Sequence, residues 1–313
     1  QIVSVGTTHA GYHTPVFNMA QGTVSGLPCA ESWTLSNESG DEYLIQIGYP
    51  RNWTAETAGS DDHTVPVIYL TDGNSVFLTA LEALHRWLSL RPPGAPSSGV
   101  VVAIGYPLHD DSPFLFNGRR SKDLTPPLPG AGETEGGADQ FLDFIEQRVR
   151  PFVSQRVKEK QGVSVGREAL CGHSYGGLFT LHALFTRPTI FDYFLANSPS
   201  IWWNKRAILK HELGCYEKIG DKATSVMLFV GGDEQEPPRR KGENDEDFEQ
   251  RRATHIERRM VDNLRELYER LRNSGKLAHI SLSVYEGEDH GTVIPCGVSK
   301  GVWTFLDDWP CID

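Results

Sequence analysis

Ser174 is the residue whose surroundings speak first for chemistry. It stands in Gly172-His173-Ser174-Tyr175-Gly176-Gly177, a G-x-S-x-G pattern. A short apolar run, Ala169-Leu170-Cys171, precedes it, and a helical pattern from Leu178 to Leu184 follows. A serine hydroxyl is a weak nucleophile until a base takes its proton. A sharp strand-to-helix turn holds such a hydroxyl out at a sheet edge, where a base can reach it. Small residues at positions 172, 176 and 177 let the strand and helix approach closely. The turn also opens a helix, whose N-terminal partial charge favours a developing oxyanion.

The base is expected downstream, after the last strand. His290 lies there, in Glu286-Gly287-Glu288-Asp289-His290-Gly291, behind the strand-like run Ile280–Tyr285. The other histidines fit less well. His173 is inside the turn, His182 follows on the helix, and His85, His211 and His255 sit in helical surroundings. A carboxylate that orients the imidazole comes between serine and histidine in chain order in this kind of enzyme. Gly232-Asp233-Glu234-Gln235-Glu236 follows the strand-like Leu228–Gly231 and offers three. Glu234 is favoured, with Asp233 and Glu236 as alternatives and a Ser–His dyad as a further one. Asp262 is set aside because it lies within a helical pattern. The oxyanion hole needs two backbone N–H groups. One is expected from Tyr175, the residue after the nucleophile. The other is expected from the turn after Val65–Thr71, at Asn74, with Gly73 next.

These residues need a scaffold. Strands are expected at Tyr43–Tyr49, Val65–Thr71, Val100–Gly105, Ala169–Gly172, Tyr193–Ala196, Val226–Gly231 and Ile280–Tyr285. Continuously apolar runs such as Val67–Leu70 and Val100–Ile104 suit parallel strands covered on both faces. Helical periodicity lies between them at Val76–Leu90, Ala138–Val157 and His255–Arg272. Alternating strand and helix predicts an α/β fold of the α/β-hydrolase type, a mostly parallel central sheet with helices on both faces. The earliest strands could form an antiparallel edge. Two stretches break the alternation, the Pro- and Gly-rich 110–137 and the charged 235–250. Both read as loops on the sheet's working edge, within a single catalytic domain spanning 1–313.

Composition excludes several classes. At 313 residues and 39% hydrophobic, the chain can bury one large core. Its net charge of −11 argues against nucleic acid and anionic membrane surfaces as partners. No apolar stretch approaches the roughly 20 residues of a membrane helix. Five cysteines without C-x-x-C spacing make a zinc site unexpected, and no metal or cofactor is expected. Cys296 and Cys311 could pair, yet an odd total fits a reducing compartment at least as well. Gln1-Ile2-Val3-Ser4 shows no signal-peptide pattern. The expected location is cytoplasmic, with secretion as the alternative, and the expected state is a monomer or homodimer.

With these motifs in place, the chain resembles the esterase family that contains the ferric-siderophore esterases and esterase D-like hydrolases. The siderophore branch includes enterobactin esterase-like enzymes and fungal triacetylfusarinine C esterases. The resemblance spans roughly residues 20–305. It rests on Val67–Asn74, on Arg119-Arg120-Ser121-Lys122-Asp123-Leu124-Thr125-Pro126 and on the Gly172–Gly177 turn. Ser198-Pro199-Ser200-Ile201-Trp202-Trp203-Asn204 and His290-Gly291-Thr292-Val293 complete it. It implies hydrolysis of ester bonds in a siderophore, releasing iron. Arg119 and Arg120 are then expected to bind substrate oxygens, and Trp202 and Trp203 to wall a pocket for a bulky ligand. The charge balance fits a neutral ferric hydroxamate better than a trianionic catecholate. Two competing readings are a carboxylesterase for feruloyl, acetyl or S-acyl glutathione substrates and a hydrolase fold that only binds.

Overall fold

The computed structural model of the protein describes residues 22–24, 26–53, 64–91, 99–109, 111–127, 134–220 and 222–308. Cys311 lies outside the described residues, and with it the Cys296–Cys311 pairing. Among the described residues, Cys29, Cys171, Cys215 and Cys296 form no disulfide with one another.

The strands are β1 (Gly22–Val24), β2 (Ala30–Ser36), β3 (Glu42–Gly48), β4 (Thr64–Leu70), β5 (Val100–Gly105), β6 (Ser164–His173), β7 (Tyr193–Asn197), β8 (Ser225–Gly231) and β9 (His279–Tyr285). They form one sheet in the order β1-β2-β3-β5-β4-β6-β7-β8-β9. The β1–β2, β2–β3 and β3–β5 pairs are antiparallel, and every pair from β5 through β4 to β9 is parallel. The seven expected strands are all present. β1 and β2 are additional, and they extend the antiparallel edge.

The helices are α1 (Gly73–Ser89), α2 (Arg120–Leu124), α3 (Ala138–Phe144), α4 (Arg150–Gln161), α5 (Tyr175–Thr186), α6 (Trp203–Arg206), α7 (Glu212–Ile219), α8 (Asp245–Arg258), α9 (Met260–Asn273) and α10 (Val293–Leu306). A π-turn, Ile145–Val149, joins α3 to α4 into one helical run. Alternate residues of each strand face opposite layers. Ile68 and Leu70 pack with Phe77 and Leu84 of α1 and Val302 and Phe305 of α10. Val67 and Tyr69 face the other layer, with Phe141 of α3, Val153 of α4, Phe179 of α5 and Leu264 of α9.

Two expectations change here. The stretch 235–250 is not wholly a loop, because its end enters α8. The helix expected at His255–Arg272 is two helices, broken at Arg259, whose backbone is left-handed (φ 49°). The 14-residue α8 has no buried residue, so no apolar stripe marks its start. The stretch 110–137 carries the single helical turn of α2.

Candidate active site

The site stands at the C-terminal ends of the parallel strands, where ligands bind in open α/β sheets. Ser174 joins β6 to α5 with a backbone almost closed to ordinary residues (φ 59°, ψ −116°). Its amide donates to the Asn197 carbonyl at 3.0 Å, and its carbonyl accepts from Leu178 at 2.9 Å and Ser200 at 3.1 Å. Close approach needs glycine on both sides. A Cβ on Gly172 would stand 2.2 Å from the Gly176 carbonyl oxygen, and one on Gly176 would stand 2.2 Å from Thr71 Oγ1. The strained turn is thus over-determined by its neighbours, as stored strain requires.

His290 lies between β9 and α10. Its Nε2 is 3.0 Å from Ser174 Oγ, and its Nδ1 is 2.6 Å from Glu234 Oε2. An ionised carboxylate only accepts, so Nδ1 carries the proton and Nε2 presents its lone pair to the serine hydroxyl. Asp289 fixes the loop that carries this histidine. Its Oδ1 accepts from the Gly291 and Thr292 amides at 2.8 and 2.9 Å. Hydrogen bonding led by the Thr292 amide holds the Asp289 carboxyl below the usual range. His173 packs against His290 with ring centroids 4.4 Å apart. Burial keeps the His173 imidazole well below its usual pKa, so it adds no charge beside the base.

Glu234 ends a single 3-10 turn after β8 and is 1% exposed. Its Oε1 accepts from the Gly231 amide at 2.8 Å and from Ser198 Oγ at 2.5 Å. Three donors around one buried carboxylate hold it aimed at His290. Asp233 lines the cleft but makes no bond to His290, and Glu236 is exposed. The tertiary structure therefore selects among the three carboxylates the sequence offered.

Ser174 opens on a cleft of about 660 Å³ that Tyr175, Trp202 and Arg120 help to line. Tyr175 is the first residue of α5, so its N–H lacks an intrahelical acceptor. Asn74 is not among the residues that line the cleft, and its side chain is engaged elsewhere. The left-handed Asp72 (φ 57°) turns the start of α1 against β5, where Asn74 Nδ2 donates to the Tyr106 carbonyl at 3.0 Å and Oδ1 accepts its amide at 2.8 Å. A Cβ on Gly73 would stand 2.9 Å from the backbone of Ala103, Ile104 and Gly105.

The two arginines separate. Arg120 reaches the cleft, but its guanidinium grips the buried Asp72 carboxylate at 2.6 and 2.8 Å. Arg119 does not line the cleft. It lies 4.4 Å over the Tyr43 ring, 3.2 Å from Asp41 and 3.6 Å from Asp123. The tryptophans separate too. Trp202 lines the cleft, whereas Trp203 is 5% exposed in the core with its indole N–H toward Glu135. Side chains of a helical turn point to different sides, so neighbours in sequence divide between core and cleft.

Three further residues belong to the site. Ser200 Oγ lies 3.4 Å from Ser174 Oγ. Ser198 braces Glu234, as described. His255 of α8 donates from Nδ1 to the Glu234 carbonyl at 2.8 Å. Ser198 and Ser200 were within reach of sequence reasoning, because they follow a strand end on the working edge. His255 carried no such signal.

A family model described as "Putative esterase" matches residues 36–276. The chain belongs to that esterase family. It is 45% identical over 289 residues to the siderophore triacetylfusarinine C esterase of Aspergillus fumigatus, covering 91% of this chain and 95% of the relative. It is 43% identical to the siderophore enterobactin esterase of Emericella nidulans, covering 87% and 91%. Among solved structures, the siderophore hydrolase EstB from Aspergillus nidulans superposes with a TM-score of 0.83 at 45% identity, covering 92% of this chain and 98% of that one. The α/β-hydrolase expectation and the family resemblance agree with these matches.

Proposed function

We propose that this esterase hydrolyses ester bonds of a ferric siderophore of hydroxamate type, with Ser174, His290 and Glu234 as its triad, in a single catalytic domain of cytoplasmic location. The observation that carries the mechanism is the unbroken chain Ser174 Oγ–His290–Glu234, at 3.0 and 2.6 Å.

Ser174 Oγ attacks the ester carbonyl while His290 Nε2 takes its proton. The developing oxyanion meets the Tyr175 N–H at the start of α5. His290 then protonates the departing alkoxide. Water, deprotonated by the same nitrogen, adds to the acyl-enzyme and releases the acid. Glu234 stabilises the imidazolium at each stage. Iron enters only as part of the substrate.

The substrate class is supported by the relatives named for siderophores. The relative named for triacetylfusarinine C, at 45% identity, favours the hydroxamate type. The cleft itself is mixed in charge: Arg120 is paired with Asp72 and Arg251 with Glu243, Arg240 and Arg258 also line it, and Asp233, Glu234 and Asp289 face the same space. The 43% relative named for enterobactin favours a ferric catecholate as the second reading.

Wild type and Ser174→Ala are incubated with a ferric hydroxamate triester and a ferric catecholate triester, with the acid products followed by mass spectrometry. Faster cleavage of the hydroxamate, abolished in Ser174→Ala, is the expected result. Faster cleavage of the catecholate would overturn the hydroxamate assignment. Cleavage of simple aryl esters but of neither triester would overturn the siderophore reading.

A further inference from the structure

A second groove of about 660 Å³ adjoins the catalytic cleft. It shares Trp202 and Arg258 with the catalytic cleft. Lys205, Arg206 and Arg259 add three more cations, and Glu257 is its lining carboxylate. Not all of this charge is committed. Arg206 is bound to Asn263 at 3.2 Å and Glu266 at 3.4 Å, and Arg259 to Glu266 at 2.8 Å. Lys205 and Arg258 have no ion pair among the described residues. The Arg258 guanidinium instead lies 4.6 Å over the Trp202 ring.

The backbone supplies an independent observation. Asn204, Lys205 and Arg206 are left-handed in succession, with φ of 45°, 53° and 62°. One non-glycine residue in that region is costly, and three in a row are rarely met. Such strain persists where its surroundings enforce it, and it concentrates at functional sites. Here it turns two cationic side chains and one carboxamide onto the wall of the groove.

We infer that this groove is a carboxylate subsite, which holds the acid arm of a partly hydrolysed substrate while another of its esters occupies the catalytic cleft. The inference rests on the esterase reading and deepens it. In hydrolysis the acyl C–O bond breaks, water supplies oxygen to the acyl carbon, and the leaving alkoxide takes a proton. The acyl side of the cut ester becomes a carboxylate, anionic at neutral pH. A substrate with several ester bonds therefore gains a negative arm with the first cut. Two unpaired cations one indole away from Tyr175 offer that arm a place to bind. Neutral starting material has no such anchor.

The test compares p-nitrophenyl hydrogen suberate, which carries a free carboxylate, with p-nitrophenyl methyl suberate, which does not. The measured quantity is the ratio of their kcat/KM values in wild type and in Lys205→Glu. That variant exchanges attraction for repulsion, so the ratio should fall about tenfold, through KM and not kcat. A ratio near one in wild type, or one unchanged in the variant, would overturn the inference. Lys205→Gly suits the left-handed backbone, and it gives the same reading should the glutamate variant fail to fold. Calorimetry of monomethyl suberate binding to Ser174→Ala, with and without Lys205→Glu, decides the groove separately from turnover. Binding weakened by the second substitution supports the subsite, and equal or undetectable binding in both overturns it. If wild type cleaves neither ester, the esterase reading fails and the calorimetry still decides the groove.

Discussion

Glu234→Gln is the substitution that most directly separates a triad from a dyad. The glutamine is isosteric, and its carbonyl oxygen can keep the bonds from Ser198 and the Gly231 amide. Its NH₂ group then faces His290 Nδ1 and donates to it. That pins the imidazole in the opposite tautomer, with Nε2–H pointing at Ser174 Oγ, so the base has no lone pair to offer. The charge is lost as well. Unit charges about 4 Å apart attract by about 4 kcal/mol at an effective dielectric near 20. That corresponds to roughly three decades in rate. The His290 side chain is 41% exposed, so solvent screens part of this attraction. Adding the tautomer penalty, kcat should fall about 10³- to 10⁴-fold. The assay is burst and steady-state hydrolysis of p-nitrophenyl acetate, with a thermal melt to show that the fold survives. Asp233→Asn and Glu236→Gln serve as controls and should change kcat by about threefold or less. A loss below about tenfold in Glu234→Gln would show that Ser174 and His290 work as a dyad. An equal loss in Asp233→Asn would show that the acid has been misassigned.

The other predictions probe the supports of the site. Ser198→Ala removes one of three donors to the Glu234 carboxylate, and kcat should drop about tenfold with KM little changed. Stopped-flow kinetics would check this, and a change confined to KM would contradict it. Arg120→Ala leaves the Asp72 carboxylate, 4% exposed, buried without its partner, so stability should fall by about 3–5 kcal/mol in urea titration. A loss of activity at unchanged stability would make Arg120 a substrate ligand instead. Burial pushes the Asp123 carboxyl up to about 6, against Arg119, which draws it down. Because the folded value lies above the unfolded one, this group's stabilisation is present below the ordinary carboxylate range and is lost as pH rises through about 6. Asp123→Asn should therefore flatten the decline in Tm between roughly pH 4 and pH 7, by about 3 kcal/mol of stability. Parallel declines in both proteins would refute it.

Much of the scaffold was legible because its signals are local. Parallel strands buried on both faces read as continuous apolar runs, and β4, β5 and β8 show that pattern without interruption. The nucleophile turn was legible because only glycine tolerates its close contacts. Other elements were not. β2 is a half-buried strand second from the sheet's edge, and it lacks a clean alternation. α8 buries nothing, and its charges look like those of any solvated loop. The break at Arg259 leaves the helical spacing on either side intact, so it cannot be seen in the periodicity.

By itself, then, the sequence singled out Ser174 and His290 as candidates and determined the parallel sheet and the family, because each depends on residues close together in the chain or on chain order. Only the tertiary structure chose Glu234 over Asp233 and Glu236. Three carboxylates within four residues look alike until one is buried among donors from residues 198, 231 and 290. The same holds for Arg119 and Arg120 and for Trp202 and Trp203. In each pair, one side chain turned inward and one reached the cleft, and partners distant in sequence made that decision.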